Sequence, residues 1–311
     1  MKKKIVIIGG GISGLTAGIF ALLNGYDATI LEKNDDVGGL CTGWTRKGWY
    51  IDGCIHWLTG TKKEYDTYKN WKTLGAFNKD EDLIFLPSWG SFEYQGTTVT
   101  FWSDLKRAEK EWLAISPIDK KPIKWFFKCV RKLGSFEVPA EAPIPLFRFR
   151  SYFLFIIRMI KTFPHYLLST KMTCEGFAKK FESKALQNAL IKAQPGDGNL
   201  YSMAFSYATV ASGNGGLIKG GSRLMTRRMG DKFISLGGDL RLNSPVKQIV
   251  VENKKVSKVI LEDNSEVTGD YFISCCESDY TCHTLLENKY VNKKLEKRFK
   301  DMDIIQNTPK K

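Results

Sequence analysis

Lys4-Ile5-Val6-Ile7-Ile8-Gly9-Gly10-Gly11-Ile12-Ser13-Gly14 is the stretch that decides the fold of this chain. Its β-branched run predicts a strand over 4–8 that delivers the chain to a glycine turn. There Gly9 permits the tight bend, Gly11 lets backbone approach a pyrophosphate, and Gly14 lets the next helix pack close to the strand. The helix expected over 12–23 turns its free N-terminal N–H groups and its positive dipole end toward phosphates. Asn24-Gly25 is its stop signal. A second strand over 27–31 ends at Glu32, 18 residues past Gly14, a distance that suits a carboxylate binding both hydroxyls of an adenosine ribose. A secretory signal or membrane span competes for the charged start and the apolar stretch to Leu23. The five glycines between Gly9 and Gly18 fit an apolar helix poorly, no small-residue cleavage site follows, and the next segment continues as a strand.

Beyond Glu32 the chain runs Lys33-Asn34-Asp35-Asp36-Val37-Gly38-Gly39, a second glycine turn where a plain nicotinamide-binding unit enters another crossover. Together with Leu40-Cys41-Thr42-Gly43, Gly48-Trp49-Tyr50-Ile51-Asp52-Gly53-Cys54-Ile55-His56 and Gly60, this arrangement resembles the flavin-containing amine oxidase and phytoene desaturase superfamily. The form around Asp52, Gly53 and His56 looks most like its bacterial phytoene desaturase and retinol saturase-like branch. The resemblance implies FAD, with the glycine doublet passing against the flavin's diphosphate and ribityl chain. One departure is clear: many relatives carry an arginine just after the doublet, where this chain has Leu40 and Cys41. A later block, Gly237-Gly238 followed by Val246-Lys247-Gln248-Ile249, occupies the place where a superfamily valine bonds the adenine through its backbone. A β-meander with Val246, Ile249 and Val251 as alternating core residues fits the same block.

The cofactor-binding residues this implies are Gly9, Gly11, Ile12, Ser13, Gly14, Glu32, Lys33, Gly38, Gly39, Leu40 and Val246. His56 is the candidate for a residue near the isoalloxazine, with a hydrogen-bonded structural histidine as its plainer reading. No triad is expected, because hydride exchange between a flavin and a carbon centre needs no protein nucleophile. The matching stretches, 3–60 and 215–276, cover under half of the residues.

The expected fold class is α/β: a Rossmann-like FAD/NAD(P)-binding domain carrying an inserted mixed α+β substrate domain. The first part of the binding domain is expected over 1–62, the insertion over 63–212, and the second part over 213–311. Within the insertion, a helix is expected over 63–74, strands over 83–86, 91–94 and 97–101, and a helix starting at Ser103 or Asp104. The binding domain resumes with a helix over 222–235, capped by Ser222, then strands over 245–251, 256–261 and 267–275. A charged helix is expected over 286–300.

With 311 residues the chain is long enough for two cores. Its net charge of +14 is a solvated basic surface in the absence of any nucleic-acid module, so no nucleic-acid partner is expected. Seven cysteines without paired metal spacing read as reduced thiols, and three histidines without an i,i+4 pair give no metal site. The setting expected is cytoplasmic, with peripheral contact at the inner membrane face.

That contact is assigned to Phe147 to Leu168. On a helical wheel Arg150, Ser151, Arg158, Lys161 and Thr162 fall within about a third of the circumference, and Phe153, Phe155, Ile156, Met159, Ile160 and Phe163 fill the opposite arc. A basic stripe beside a broad apolar face suits a helix lying in a membrane interface; a helix buried in the insertion is the other reading. The functional expectation is an FAD-dependent oxidoreductase acting on a hydrophobic small molecule, an isoprenoid or carotenoid, by desaturation, isomerisation or saturation. Three other readings stand beside it: an amine or porphyrinogen oxidase-type flavoenzyme, a nicotinamide-linked dehydrogenase, and a noncatalytic flavin-binding remnant. The last follows from the superfamily's carboxy-terminal portion, to which nothing after Cys276 is similar, so that a frameshifted, split or truncated product is one reading of the chain.

Overall fold

The computed structural model describes residues 2–136, 139–142, 144–194 and 198–307, with the side chains of 144, 161–168 and 302–307 outside the description. Its contacts resolve two compact units. One comprises Met1–Ile55, Thr73–Asn78 and Gly220–Lys311, and the other His56–Lys72 and Lys79–Lys219.

The first unit begins with β1 (Lys4–Ile8), α1 (Ile12–Leu23) and β2 (Asp27–Leu31), where the glycine pattern predicts them. Gly25, at φ +84°, takes the left-handed conformation that ends α1. A hairpin follows that sequence reading did not assign, β3 (Gly43–Arg46) against β4 (Trp49–Asp52). Its two-residue turn places Lys47 at φ +50° and Gly48 at φ +81°, the left-handed pair of a type I′ turn.

The second unit is mixed α+β. It contains β5 (Leu58–Thr59), α2 (Asp66–Thr73), β6 (Leu83–Ile84), β7 (Ser88–Tyr94), β8 (Thr97–Trp102), α3 (Leu105–Ile115), α4 (Lys120–Gly134), α5 (Phe149–Thr170), α6 (Cys174–Ala178), α7 (Lys184–Lys192), α8 (Leu200–Ala211) and β9 (Gly215–Ile218). Asp104 caps α3 by accepting from the amides of Lys106 and Arg107. β6 stops at Ile84 rather than Leu86, ahead of Pro87, which has no N–H to offer a ladder. α2 is shorter than 63–74 because Lys62 to Tyr65 close a turn first. The core is aromatic: Trp112 stacks on Phe126 with centroids 5.4 Å apart and meets Phe101 edge-on at 5.0 Å, and Tyr207 is fully buried among them.

The chain returns to the first unit with α9 (Gly221–Ser235), β10 (Asp239–Arg241), β11 (Val246–Glu252), β12 (Lys255–Leu261), β13 (Glu266–Thr268), β14 (Tyr271–Ser274) and α10 (Lys293–Asn307). β10, β2, β1 and β14 lie in that order as a parallel sheet, and β11, β12 and β13 form an antiparallel meander. The single strand expected over 267–275 is thus two strands in two sheets. The break falls at Gly269, where a Cβ would come within 2.8 Å of Val6 Cγ2, and at Asp270, whose carboxylate accepts from the Lys4 amide at 2.7 Å. The helix expected over 286–300 begins only at Lys293, because Glu287 and Asn288 take positive φ values of 52° and 60° that no right-handed helix admits.

Candidate dinucleotide site

A cleft of about 1030 Å³ opens at the carboxyl ends of the parallel strands, with Ile8 of β1, Leu31 of β2 and Cys275 just past β14 on its wall. β1 sits between β2 on one side and β14 on the other, so the sheet diverges there, and that divergence creates a crevice. Gly9, Gly11, Ile12, Ser13, Glu32, Lys33, Gly38, Gly39, Leu40 and Val246 all line this cleft. Residues as far apart in the chain as Ile8 and Val246 thus meet at one cleft.

Each glycine has a distinct reason. A Cβ on Gly14 would sit 1.9 Å from the Gly9 carbonyl oxygen, so the helix lies against the turn as closely as backbone allows. Gly14 therefore lies beneath the cleft rather than on its wall. Gly11 is the N-cap of α1, which leaves the first-turn N–H groups without intrahelical acceptors and directed at the cleft. Gly39 faces Gly11, and its Cβ would lie 3.3 Å from the Gly11 Cα. The two loops are joined by the Gly38 amide, which donates to the Gly10 carbonyl at 2.9 Å. Gly38 itself, at φ +121°, has no room for a side chain because Thr226 Oγ1 would lie 2.6 Å away.

Glu32 is buried, at 4% exposure, and directly follows β2. Oε2 accepts from the Gly10 amide at 2.6 Å, and Oε1 accepts from the Asn34 amide at 2.9 Å and its side-chain Nδ2 at 2.8 Å. Gly10 and Asn34 are site residues that sequence reasoning missed. Nothing in the spacing marks Asn34, whereas Gly10 stands inside the quoted motif. Tyr280 and Cys276 also line the cleft from beyond the last strand, where no motif points to them.

The walls are braced from α9. Asp52, at the end of β4, accepts from the Ser222 amide at 2.5 Å, from Ser222 Oγ at 2.7 Å and from the Cys54 amide at 3.1 Å. Burial would raise its pKa, but these donors outweigh burial and hold it below the ordinary carboxylate value. Ser222 is therefore not the cap of α9; Gly220 takes that position, and Ser222 serves as donor to Asp52. Asp36 accepts from Arg223 Nε at 3.0 Å and Arg227 Nε at 2.9 Å, which ties the loop ahead of Gly38 to the same helix. Its pKa too is lowered, the arginines prevailing over burial.

Val246 is 6% exposed and packs in a cluster with Ile249, Val259, Leu261 and Val267, so the meander reading of that block is what the backbone forms, with Val246 also on the cleft wall. Leu40, in the place where many superfamily members have arginine, is 88% exposed. His56 is the first residue of the second unit and is not among the residues lining the cleft; its ring centroid is 6.0 Å from that of Trp57.

Residues 7–74 match the family model of the NAD(P)-binding Rossmann-like domain, and residues 162–294 that of the flavin containing amine oxidoreductases. The chain is 23% identical to the neurosporene-forming phytoene desaturase of Rhodobacter capsulatus, across 95% of this chain and 57% of that protein. It is 22% identical to the 4,4'-diaponeurosporene oxygenase of Staphylococcus haemolyticus, across 94% of this chain and 59% of that one. The chain thus spans less than two thirds of the curated relatives it matches. In fold it is similar to a Pyrococcus furiosus protein (TM-score 0.56, 22% identity, 96% of this chain and 64% of the other) and to a fatty acid isomerase of P. acnes (TM-score 0.55, 18% identity, 96% and 63%). The chain is thus similar in part to the NAD(P)-binding Rossmann-like and flavin containing amine oxidoreductase families and along most of its length to carotenoid desaturases, and these matches indicate FAD as the dinucleotide of its Rossmann-like domain.

Proposed function

We propose that this chain acts as an FAD-dependent oxidoreductase on a hydrophobic isoprenoid of the carotenoid kind, by desaturation, isomerisation or saturation. The observation that carries the reading is the pairing of two side-chain-free loops, at Gly11 and Gly39, side by side on the wall of a cleft that also holds a hydrogen-bonded buried carboxylate, Glu32. The unfilled space over Gly11, where a Cβ would meet nothing nearer than 3.9 Å, fits the passage of a diphosphate. In this reading the first-turn N–H groups at Ile12 and Ser13 hold the diphosphate, with Lys33 adding positive charge at the rim. Glu32 takes the ribose hydroxyls, Gly38 and Gly39 let the chain pass close to the cofactor, Leu40 covers it with an apolar side chain, and the Val246 backbone serves the adenine. Bound FAD supplies hydride exchange with a carbon centre. The protein's part is to bind it, orient it and keep water away.

The substrate class rests on the carotenoid desaturases and oxygenases among the relatives, and on α5. Among the described residues no helix is long and apolar enough to cross a membrane. α5 nevertheless turns Phe149, Phe153, Ile156 and Ile160 to solvent at helical spacing, 88% and 66% exposed at the two ends. The apolar arc read from the wheel is thus divided, because Phe155 packs inward against Phe136 at 6.3 Å. Lys161, Thr162 and Phe163 have side chains outside the described residues. With Arg148 and Arg150 exposed at its start, this stripe is proposed to rest on an anionic membrane surface, from which an isoprenoid is drawn. In this reading the second unit serves the substrate, and His56 contributes to turnover rather than to cofactor binding. His56→Ala is then expected to slow turnover while flavin stays bound.

Purified protein tests the reading. A flavin spectrum that survives desalting and is bleached or restored by a polyene supports it. Nucleotide binding without flavin overturns the cofactor, and bound flavin that no polyene turns over overturns the activity.

A further inference from the structure

Seven cysteines are present and all are free thiols in the structure, but two of them are placed as a pair. The hairpin ladder matches Gly43 with Asp52, and the Gly53 amide continues it by donating to the Thr42 carbonyl at 2.9 Å. One position further out, Cys41 and Cys54 face each other with their Sγ atoms 3.7 Å apart. A disulfide needs about 2.05 Å between sulfurs and side chains on facing positions. The ladder supplies the second condition, and rotation of the two side chains closes the remaining gap. Both residues line the dinucleotide cleft.

We propose that Cys41 and Cys54 are a reversible dithiol–disulfide site at the rim of the cleft, oxidised by low-molecular-weight disulfides. The two thiols have unequal parts. Cys41 is buried, at 4% exposure, and burial pushes its thiol up to about 12, so at neutral pH it keeps its proton beside the Cys54 sulfur. Cys54 is half-buried and reached from the cleft, so it is the attacking group. In the first step the Cys54 thiolate bonds to one sulfur of the small disulfide, whose S–S bond breaks and releases one small thiolate. In the second, Cys41 sulfur bonds to Cys54 sulfur, the mixed S–S bond breaks, and the Cys41 proton passes to the second departing thiolate. Two protein thiols are oxidised to one disulfide, and one small disulfide is reduced to two thiols. The crosslink ties the loop carrying Gly38 and Gly39 to the strand end where Asp52 holds Ser222, which fixes the cleft rim.

The test uses the full chain, equilibrated with oxidised and reduced glutathione, acid-quenched, alkylated and mapped by mass spectrometry. The expected product is a Cys41–Cys54 linked peptide lighter by two hydrogens, restored by dithiothreitol. Cys41→Ser is expected to stop at a glutathione adduct on Cys54, and under the same exposure Cys54→Ser to leave Cys41 unmodified. The wild-type map needs no variant to fold. The proposal is overturned if Cys41 and Cys54 both stay alkylatable while other cysteines oxidise, or if Cys54 links to Cys275 or Cys276 instead.

Discussion

The amide of Gly10 donates to Oε2 of Glu32 across 2.6 Å, so the first glycine loop holds the acid that ends the second strand. The bond is charge-assisted and buried, and a Cβ at Gly10 would press on Glu32 Oε2 at 3.1 Å. Glu32→Ala leaves the Gly10 and Asn34 donors without their acceptor and removes the ribose anchor of the proposed function. Hydrogen bonds to a charged group contribute about 1.5–3 kcal/mol. Calorimetric titration with FAD should therefore show affinity reduced by about 10- to 100-fold, with melting lowered as well. Unchanged affinity in a folded variant removes Glu32 from the site.

Gly14 and Gly11 separate stability from binding. Gly14→Ala places a methyl 1.9 Å from the Gly9 carbonyl oxygen, a backbone atom that cannot step aside, and forces α1 off the sheet. Overpacking of this kind costs about 1–3 kcal/mol or more, and denaturant melts should show it without any ligand. Gly11→Ala meets only the Gly39 Cα at 3.9 Å, so its cost is the weaker N-cap, at most about 1 kcal/mol. Its loss is expected in dinucleotide affinity instead. A Gly11→Ala variant with full affinity contradicts the passage of the diphosphate over that loop.

Asp52 and Asp36 make the first unit acid-sensitive. Both carboxylates have folded-state pKa values below their ordinary one, so each contributes stability that is fully present above the unfolded value of about 3.9 and is lost as pH falls through the folded value. Asp52→Asn keeps the size of the side chain but gives up the charge that Ser222 and Cys54 donate to. The variant should be less stable at pH 7 by about 1–3 kcal/mol and lose less stability than wild type between pH 5 and pH 2. Parallel pH profiles for the two proteins contradict this role for Asp52.

The parts of the fold legible in the sequence are those where a local rule and the tertiary structure agree. Gly9, Gly11, Gly14 and Glu32 could be read because strand, turn and helix each restrict the same few residues, and the doublet at Gly38 and Gly39 because a turn without side chains is rare. Asp52 was legible as part of a segment but not as the partner of Ser222, since 170 residues separate them and only the packing of β4 beside α9 joins them. The run 267–275 alternates like one strand, and what divides it is the partner on each side: β12 for Val267 and β1 for Phe272. Helix α5 showed its amphipathic character in sequence, but which apolar residues pack inward depended on where Phe136 lies. The hairpin joining Cys41 to Cys54 escaped because Trp44, Trp49, Tyr50 and Ile51 are all substantially exposed and show no alternation to read.

The stripe on α5 makes the final prediction, and it separates folding from surface binding. Phe153→Ser with Ile160→Ser removes two exposed apolar groups, so melting should move little, within about 0.5 kcal/mol per site. If those side chains enter a bilayer interface, each buries apolar area on binding worth about 1.4 kcal/mol, about a tenfold loss of vesicle affinity per residue. Arg148→Glu with Arg150→Glu should weaken binding to anionic vesicles and leave the weaker binding to neutral ones unchanged, and added salt should abolish that difference. Flotation of wild-type protein with anionic vesicles is the control that decides the matter, because a chain that stays at the bottom of the gradient has no membrane contact for α5 to make.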